Sequence, residues 1–561
     1  MADINTNLND LQNNANRLAV ATSAIANAIV AKGGTVTSGD GLEEFPADIG
    51  TIVDVGPVND VLDISNDELE AALGGGGSIP VAKGQVNFYD YDGTIVKSMS
   101  SVQFRGLESM PTNPSHEGLT AQGWNWSLSD AKTYVASYGS LDIGQTYTTS
   151  DGRTYLHIRL GEGRLKPYLG LTGNSSGTTV SIDWGDSSAV ESVTLNNSTV
   201  YTAHEYVSDG EYVISITVTN GTISLNGTSS STNLFRKAAY VDANNDKVYA
   251  SILTKVELGT GVTFLETYAF GNCSSLSSIT IPSTVTSIGN GIFNNCSSLT
   301  SVTIPSTVTS IGDYIFSTCY SLTSVTIPST VTSIGTDAFS KCCSLSSITI
   351  PSTVTYIKDS TFGGCSSLSS ITIPSGVTHI GNSTFSGCYS LSSITIPSGV
   401  THIGNSAFYS CNALTSITIP STVTSIGIAI FQNCSSLISI TILSTVTSIG
   451  DTVFSGCSSL TSITIPSAVT SIGQSAFSSC SSLSSITIPS TVTSIKNNAF
   501  SGARGLGFIK FTSTTPPTVS ASNAWAYLSA DCIIYVPTGR LSDYTSAQYY
   551  PDPNRYTYVE Y

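Results

Sequence analysis

The sequence has few charged residues and no long apolar run. Only 11% of its 561 residues are charged, and no unbroken apolar stretch reaches the roughly 18 residues of a membrane-spanning helix. Asp and Glu outnumber Lys and Arg by 38 to 21, which gives a net charge of -17. Nucleic acids and anionic lipids are bound through basic surfaces, so this charge argues against both. We therefore expect neither nucleic-acid binding nor membrane insertion.

The N-terminus also lacks the pattern of a secretion signal. Asp3 and Asp10 precede a mildly apolar stretch, residues 18–31, which is interrupted by Thr22 and Asn27. A secretion signal instead combines a basic start with a continuous apolar segment. The sequence predicts that the chain does not leave a cell by the general export route.

What the chain does contain is a repeat of 23 residues. The repeat is marked by eleven phenylalanines: Phe270, Phe293, Phe316, Phe339, Phe362, Phe385, Phe408, Phe431, Phe454, Phe477 and Phe500. A fixed period of this length indicates a solenoid, in which each repeat forms one coil and packs on its neighbours.

Each coil combines a short strand with a turn. In the coil of Phe293, the segment 299–304 alternates apolar residues with hydroxyls, which is the period of a half-buried strand. Pro305 ends that strand because it has no N–H to donate. In most coils an Asn or Asp such as Asp313 follows the turn glycine, and this predicts the N-cap of a single helical turn that carries the Phe.

From about Leu253 to Ile509, this pattern resembles the leucine-rich repeats of the BspA-like class of bacterial surface adhesins. The resemblance implies a parallel sheet along one face of a solenoid. Residues 515–517, with 532–537 and Tyr544, resemble the C-terminal cap of such arrays. A cap is required physically, because the last coil otherwise exposes its core and its strand edge.

Ten of the twelve cysteines share one position of the repeat. They are Cys273, Cys296, Cys319, Cys342, Cys365, Cys388, Cys411, Cys434, Cys457 and Cys480. At the strand spacing of about 4.8 Å, parallel Cβ atoms lie farther apart than the ~3.8 Å that a disulfide prefers. A straight row also cannot surround zinc tetrahedrally. We expect a ladder of buried free thiols, with no metal and no cofactor.

The first 83 residues predict a docking segment and a linker. Leu11, Leu18 and Ile25 are spaced by seven, which favours a short helix able to self-associate. Residues 28–49 resemble a short module that recurs in tail and fibre proteins of phages infecting Gram-positive bacteria. The glycines at 74–77 indicate a flexible joint.

Residues 84–150 predict a small α+β domain with a helix from Ser127 to Tyr138. His116 beside Glu117 suggests a general base, and Asp90 with Asp92 suggests a calcium site. Neither pair has enough partners for that chemistry. We therefore favour a packed histidine and a hairpin turn at Asp92 and Gly93.

Residues 151–228 resemble a PKD-type β-sandwich, through the segments 180–186 and 204–218. Each segment alternates apolar and polar residues, as a half-buried strand requires. The resemblance implies that Trp184 and Tyr206 are core residues and that Gly185 and Asp186 form a turn. We assign no chemistry to them.

Together these interpretations give a mainly β chain of seven regions. They are an N-terminal helical docking or oligomerisation module (1–55), a Gly-rich linker (56–83), a small α+β domain (84–150), a PKD-like β-sandwich (151–228), a linker or N-terminal cap (229–252), a leucine-rich-repeat solenoid (253–510) and a C-terminal cap (511–561).

The outward strand positions of the solenoid are uniform. They are Thr in ten consecutive coils, from Thr280 to Thr487, with Ser two residues earlier, from Ser278 to Ser485. Such an array can hydrogen-bond to glycans or ordered water, but exposed hydroxyls also simply solvate a β-rich face. We favour solvation, because a uniform surface cannot choose among partners.

Departures from the repeat gather in the middle coils. A column that is otherwise almost entirely serine reads Tyr356, His379 and His402 in three adjacent coils, and the neighbouring Thr column reads Gly376 and Gly399. Stacked rings beside glycine-cleared backbone predict a contact for a glycan or a protein.

Three further tyrosines complete this candidate recognition patch. Tyr320 and Tyr389 lie in a second column where Ser is usual, and Tyr409 is close in sequence. Neutral drift among near-identical repeats is the alternative explanation for the whole patch. A metal bound by the two histidines lacks a third ligand, so no metal is predicted there.

These features support two functions. The first is a phage virion protein, a tail or head fibre that docks to other virion proteins or trimerises through its N-terminus and attaches to a host-surface glycan or protein. The alternative is a bacterial cell-surface adhesin of the BspA-like class. An enzyme is not expected: Asp313 and Asp359 lie two coils apart, about 9.6 Å by strand spacing, but capping explains them better than a glycosidase pair.

Overall fold

The computed structural model describes residues 85–161, 165–226, 234–236, 249–443 and 445–561. The predicted N-terminal helix, the phage-like module and the Gly-rich linker lie outside these residues. The described residues form two compact units: the smaller holds 85–87, Ser98–Met110 and Lys132–Leu141, and the larger holds Phe88–Lys97, Pro111–Ala131 and Asp142–Tyr561. Within the described ranges, no helix is long and apolar enough to cross a membrane.

Residues 85–149 form a four-stranded sheet and two helices. The elements are β1 (Gln85–Tyr89), β2 (Ile95–Ser100), α1 (Ser101–Arg105), β3 (Leu119–Trp124), α2 (Leu128–Tyr138) and β4 (Leu141–Thr149), with sheet order β2-β1-β4-β3. Ser100 starts α1 through a reciprocal capping box with Gln103. The predicted turn is confirmed: Gly93 has a φ of 88°, and the Asp92 carboxylate accepts the Thr94 N–H at 2.9 Å.

The next segment contributes eight strands to two sheets. They are β5 (Thr154–Leu160), β6 (Tyr168–Gly173), β7 (Ser176–Asp183), β8 (Glu191–Asn196), β9 (Thr199–Ala203), β10 (Gly210–Asn220), β11 (Ile223–Leu225) and β12 (Phe235–Arg236). Trp184 and Tyr206 are each 1% exposed, which confirms them as core residues. Gly185 takes a φ of 79° in the turn between them, where a Cβ atom meets the Val213 carbonyl oxygen at 2.4 Å.

Both of these sheets continue into the solenoid. β13 (Leu253–Glu257) pairs antiparallel with β5 and parallel with β15 (Ser278–Thr280). On the other sheet, β14 (Val262–Leu265) pairs parallel with β11 and with β16 (Ser287–Ile288). The strands before the repeat therefore pair with both strands of its first coil, so that coil has no open edge at its N-terminal side.

The solenoid has about 13 coils of about 23 residues, each passing through two parallel sheets. Sheet A contains β13, β15, β17 (Ser301–Thr303), β19 (Ser324–Thr326), β24 (Ser416–Ile419), β25 (Ser439–Ile442) and β28 (Ser485–Ile488). Sheet B contains β14, β16, β18 (Ser310–Ile311), β20 (Ser333–Ile334), β21 (Tyr356–Ile357), β22 (His379–Ile380), β23 (His402–Ile403), β26 (Ser448–Ile449), β27 (Ser471–Ile472) and β29 (Ser494–Ile495).

The segment that carries the Phe is a turn, so the predicted helical turn is wrong. In all eleven coils φ is positive two residues before and two residues after the Phe, as at Tyr314 (58°) and Thr318 (64°). N–H groups of this turn donate to the next coil: that of Phe293 reaches the Ile315 carbonyl at 2.9 Å. Left-handed residues interrupt a helix, and the bonds between coils compensate for their strain.

The predicted N-caps are wrong for the same reason. The Asp313 carboxylate accepts the N–H of Thr336, the equivalent residue of the next coil, at 2.8 Å. Asn382 and Asp451 repeat this bond to Asn405 and Gln474 at 2.9 and 2.7 Å. These side chains join neighbouring coils, which accounts for an Asn or Asp at this position.

The core is built from columns of identical side chains. The phenylalanine rings stack between coils, with centroids 5.3 Å apart for Phe477 and Phe500. The predicted thiol ladder is buried and its cysteines are free. Each thiol from Cys296 to Cys480 donates to a phenylalanine carbonyl of the preceding coil, as Cys296 does to Phe270 at 3.1 Å. Burial raises the pKa of the Cys319 thiol to about 12, which keeps it protonated.

The C-terminal residues close the array. They form β30 (Phe508–Phe511), β31 (Thr518–Val519), a 3-10 helix (Ser522–Trp525), β32 (Ile533–Val536), α3 (Leu541–Thr545) and β33 (Thr557–Glu560). β30, β32 and β33 extend sheet A, and β31 extends sheet B. Trp525 stacks on Phe500 with centroids 5.2 Å apart and so covers the end of the phenylalanine column.

Candidate recognition site

The uniform Ser-x-Thr surface of sheet A, here called the threonine face, is covered over its first coils. The covering residues are Phe88–Lys97, Pro111–Ala131 and residues 142–149, here called the docked segments. Under them Thr280, Thr303 and Thr326 are only 2%, 6% and 3% exposed. The expectation that this face is open to solvent is wrong for these coils.

Two buried side chains anchor the docked segments. The Asn125 amide donates to the carbonyls of Ile304 and Thr326 at 3.1 and 3.2 Å and to the Thr326 hydroxyl at 3.2 Å. The Trp126 indole donates to the Ile327 carbonyl at 2.9 Å. These donors bind main-chain oxygens where the strands end. Apart from the Thr326 hydroxyl, the acceptors of these bonds are therefore backbone carbonyls of the repeat.

A glycine lets β4 lie directly on the threonines. A Cβ atom at Gly144 lies 2.1 Å from the Thr326 Oγ1 atom and 2.5 Å from that of Thr303, which is far inside van der Waals contact. The Gly144 N–H also donates to the Asn125 side-chain oxygen at 2.8 Å. Gly144 therefore sets how closely the docked segments approach the face.

The same face is open farther along the solenoid. From Thr372 through Thr418 to Thr487, the threonines of sheet A are exposed. Thr349, which accepts the Asp142 N–H at 3.3 Å, is half-buried and marks the edge of the covered part. The uncovered part is neutral and regular, as the sequence predicts.

The structure brings Tyr356, His379 and His402 together on sheet B, and we call them the ring column. They lie opposite one another on β21, β22 and β23. The Tyr356 and His379 rings stack with centroids 5.3 Å apart, and His379 and His402 lie 5.9 Å apart at a tilt of 37°. Tyr356 is 44% exposed, and in these coils the rings project where other coils carry serine.

The other three tyrosines lie on different segments of their coils. Tyr320 and Tyr389 are 46% and 53% exposed and occupy the turn after the buried cysteine. Tyr409 follows Phe408, is half-buried, and its hydroxyl accepts from the Asn433 amide at 3.3 Å. All three tyrosines lie in the turn that contains the Phe and the Cys of each coil, and none of them belongs to the ring column on sheet B.

Charged groups near the ring column are few. Lys358, two residues after Tyr356, lies with its ammonium 3.6 Å from the Asp313 carboxylate. Asp359 accepts from the Asn382 N–H and side-chain amide at 2.7 and 3.1 Å. Asp313 and Asp359, the two carboxylates weighed as a glycosidase pair, are thus both engaged in bonds between coils.

The remaining titratable pairs are structural. His116 bonds to the buried Asp90 carboxylate at 2.6 Å, which confirms a packed histidine. Ser188 has the largest effect in lowering the pKa of the Asp186 carboxyl. His204, which bonds to that carboxyl at 2.7 Å, lowers the pKa further. In the described part of the chain, no group of three or more His, Cys, Asp or Glu side chains is placed to hold a metal ion.

Comparison with known proteins identifies the repeat. The model of the BspA-type leucine-rich repeat region matches overlapping segments from 244 to 521, about half of the chain. A leucine-rich cell surface protein from Faecalibacterium prausnitzii is 34% identical over 45% of this chain and 70% of its own, with a TM-score of 0.32. The chain belongs to the BspA-type leucine-rich repeat family.

Two solved structures of leucine-rich repeat proteins are also similar to part of this chain. A leucine-rich repeat protein from Bacteroides ovatus is 27% identical over 61% of this chain and 97% of its own, with a TM-score of 0.42. One from Eubacterium ventriosum is 25% identical over 56% of this chain and 92% of its own, with a TM-score of 0.39. No curated protein matches the chain.

Sequence reasoning found the ring column but missed the docked segments. Asn125, Trp126 and Gly144 lie in a region where we assigned only a small domain. Their partners are repeat residues that recur unchanged in the neighbouring coils, so no local signal marks them. The ring column was detectable because it breaks a column of serines.

Proposed function

We propose that this chain is a non-enzymatic recognition protein of the cell surface that binds its target through the ring column. Membership of the BspA-type family and the 34% identity to a cell surface protein support the location. The target is a glycan or protein of another cell. The carboxylates of Asp313, Asp359 and Asp451 are used in bonds between coils, which favours binding without catalysis.

The observation that carries this proposal is a column of three adjacent rings on an otherwise uniform surface, of which Tyr356 and His402 are exposed and His379 is half-buried. Tyr356 offers a large apolar ring with a polar tip, and His379 and His402 extend the same column over two more coils. Rings of this kind dominate the energy of many interfaces. A surface of repeated hydroxyls alone gives a partner no reason to prefer one coil over another.

The test replaces each residue of the ring column with the serine that most other coils carry at that position. The triple variant Tyr356→Ser, His379→Ser and His402→Ser keeps the core unchanged, so the free energy of unfolding changes by no more than about 0.5 kcal/mol. Loss of the rings weakens adhesion by about 1 to 2 kcal/mol, roughly 5- to 30-fold in affinity. The matched control is Tyr320→Ser with Tyr389→Ser, which removes two exposed rings elsewhere. Equal adhesion of the triple variant and the parent contradicts the proposal.

A virion fibre is the second candidate, because residues 28–49 resemble a module of phage tail and fibre proteins. That segment, and the predicted trimerisation through residues 1–55, lie outside the described residues. The two locations are separated by one experiment: probing cell-envelope fractions and purified virions with an antibody against the solenoid. If the protein is recovered only in virions, the cell-surface location is wrong and the protein is a virion fibre. The role of the ring column is then tested by the adsorption of virions to host cells.

A further inference from the structure

A polar cavity lies where the strands before the repeat meet the first coil. Its volume is about 390 Å³, within the range of roughly 300 to 1,000 Å³ that small-molecule sites occupy. It is lined by Thr172 of β6, residues 197–199 where β8 turns into β9, Asn226 after β11, and Glu266 and Thr267 after β14. Every lining residue is polar, and Glu266 carries the only charge among them.

The cavity exists because β11 occupies the position of a preceding coil. The Glu266 N–H donates to the Leu225 carbonyl at 3.0 Å, just as the Gly289 N–H of the next coil donates to the Leu265 carbonyl at 2.9 Å. A coil behind this turn leaves no room for a side chain, since a Cβ atom at Gly289 lies 2.6 Å from the Thr267 nitrogen. The first coil therefore accommodates a Glu where the next coil requires glycine, and that Glu lines the cavity.

Two acceptors in this cavity have no donor. Asn226 is 3% exposed, and its amide nitrogen donates to the hydroxyls of Thr199 and Tyr201 at 2.6 and 3.4 Å, whereas its side-chain oxygen accepts no hydrogen bond from a described residue. The half-buried Glu266 carboxylate likewise has no hydrogen bond and no ion pair within the described ranges. Buried acceptors and charges are normally paired. Burial also raises the pKa of the Glu266 carboxyl, since nothing compensates for the lost hydration.

The unpaired groups select a cation that carries several donors. No Lys, Arg or His lines the cavity, so an anion meets an uncompensated carboxylate there. An organic ammonium group brings one positive charge and up to three N–H donors, which matches one carboxylate beside an amide oxygen. Calcium favours several carboxylate and carbonyl ligands, and Glu266 is the only carboxylate among the lining residues.

We propose that this cavity binds a small organic compound with a single ammonium group, held by Glu266 and Asn226. These residues directly follow Leu265 and Leu225, which are partners in the pairing of β14 with β11. The ammonium N–H groups donate to the Glu266 carboxylate and to the Asn226 oxygen, and the lining hydroxyls surround the rest of the ligand. An amino sugar and a lysine side chain both present such a group. The site goes beyond the proposed recognition function and does not depend on the ring column.

The decisive variant is Glu266→Gln, which keeps the shape of the side chain and removes its charge. The matched control is Glu205→Gln, at an exposed carboxylate that pairs with Lys166 at 3.0 Å. Binding to the full chain is measured by calorimetry for glucosamine and Nα-acetyl-lysine amide, and for the form of each in which the amine is acetylated. We expect the parent and the control to bind an amine at least tenfold more tightly than its acetylated form, and Glu266→Gln to lose that preference.

A second measurement needs no substitution. In the parent, the bound amine is expected to shift the NMR signal of the Asn226 side-chain amide, which lies in the cavity. Binding of glucosamine alone supports the proposal with an amino sugar as the ligand, and binding of the lysine probe alone supports it with a lysine side chain.

Four results overturn the proposal. Acetylated probes that bind the parent as tightly as the amines exclude the ammonium class. Equal binding of the amines by Glu266→Gln and the parent excludes the role of the carboxylate. Calcium that shifts the Asn226 signal and binds the parent more tightly than either amine replaces the organic ligand with a metal ion. Failure of both amines to bind the parent contradicts the site itself.

Discussion

The first coils and the later coils of the solenoid carry the same Ser-x-Thr strand but lie in different environments. Thr326 is 3% exposed and bonded by Asn125, whereas Thr418, four coils later, is exposed. The difference comes from residues far away in sequence that cover one and not the other. A repeat thus determines the conformation of each coil, but the segments around it determine which coils remain available to a partner.

The covering depends on residues that the repeat does not contain. Asn125 and Trp126 donate to backbone oxygens, and Gly144 permits the close approach of β4. The covered coils bury a polar face, and the contact satisfies the Thr326 hydroxyl and the Ile304 and Ile327 carbonyls, while the Thr280 hydroxyl is buried without a partner. The later coils have no such partner among the described residues and keep their hydroxyls in solvent.

The largest effect is expected from closing the space that Gly144 leaves. The substitution Gly144→Leu places a side chain where Thr303 and Thr326 already lie, so the docked segments separate from the face. Overpacking and the lost hydrogen bonds together cost about 3 kcal/mol or more. Hydrogen exchange at Thr303 and Thr326 then rises, while exchange in the coils of Thr418 and Thr441 stays unchanged.

The matched control is Gly507→Leu, at a glycine outside the docked region with its Cβ position 3.5 Å from the Ser484 oxygen. Unchanged exchange at Thr303 in Gly144→Leu shows that the docking does not depend on that close approach.

A second effect, dependent on pH, is expected at the first coil, where Lys255-x-Glu257 replaces Ser-x-Thr. The hydrogen bond from His157, with Lys255, lowers the pKa of the Glu257 carboxyl from 4.5 to about 2. Because the folded pKa is depressed, this stabilisation is complete above about pH 4.5 and is lost as the pH falls toward 2. It amounts to about 2 to 3 kcal/mol.

The measurement is chemical unfolding between pH 2 and 6 of the parent and of Glu257→Gln. If the bond from Glu257 to His157 of β5 stabilises the first coil, the difference in the free energy of unfolding between the parent and Glu257→Gln decreases as the pH falls. A difference that does not vary with pH removes Glu257 from the joint between the solenoid and the strands before it.

The smallest effect is expected from replacing one threonine with valine in the covered part of the threonine face and one in the uncovered part. Thr326→Val leaves the Asn125 amide without one buried acceptor and costs about 1 to 2 kcal/mol. Thr418→Val changes an exposed position and stays within about 0.5 kcal/mol of the parent. The denaturant midpoints of the two variants measure the difference between the covered and the uncovered part of the threonine face. Equal midpoints mean that the two parts are equally exposed.

Much of the fold follows from the sequence, because the 23-residue period places each Phe and Cys at one point of every coil. The ring column was also predictable, since Tyr356 and His379 replace serine in a repeating context. The turn around each Phe was not, because Tyr314 and Thr318 adopt left-handed conformations that bonds between coils stabilise. The joining of β5 to β13 is a pairing between distant segments with no local signal.

The candidate recognition site was predicted only in part for a similar reason. Gly376 and Gly399 stand out in the alignment of repeats, but what they remove is a bond between coils, of the kind that the Thr491 hydroxyl makes to the Val469 carbonyl at 2.8 Å. The covering of the threonine face depends on complementarity between Asn125 and a strand whose sequence recurs throughout the solenoid. Identical repeats carry no information about which copy is covered.

The most direct test of the difference between covered and open coils is the labelling rate of single cysteines placed on the threonine face. In a Cys343→Ser background, whose other thiols are buried, Thr303→Cys and Thr418→Cys are each treated with a water-soluble maleimide. We expect fast labelling at residue 418 and labelling at least about 100-fold slower at residue 303, because the reaction at residue 303 requires the docked segments to separate from the face. Equal rates at the two positions contradict this expectation.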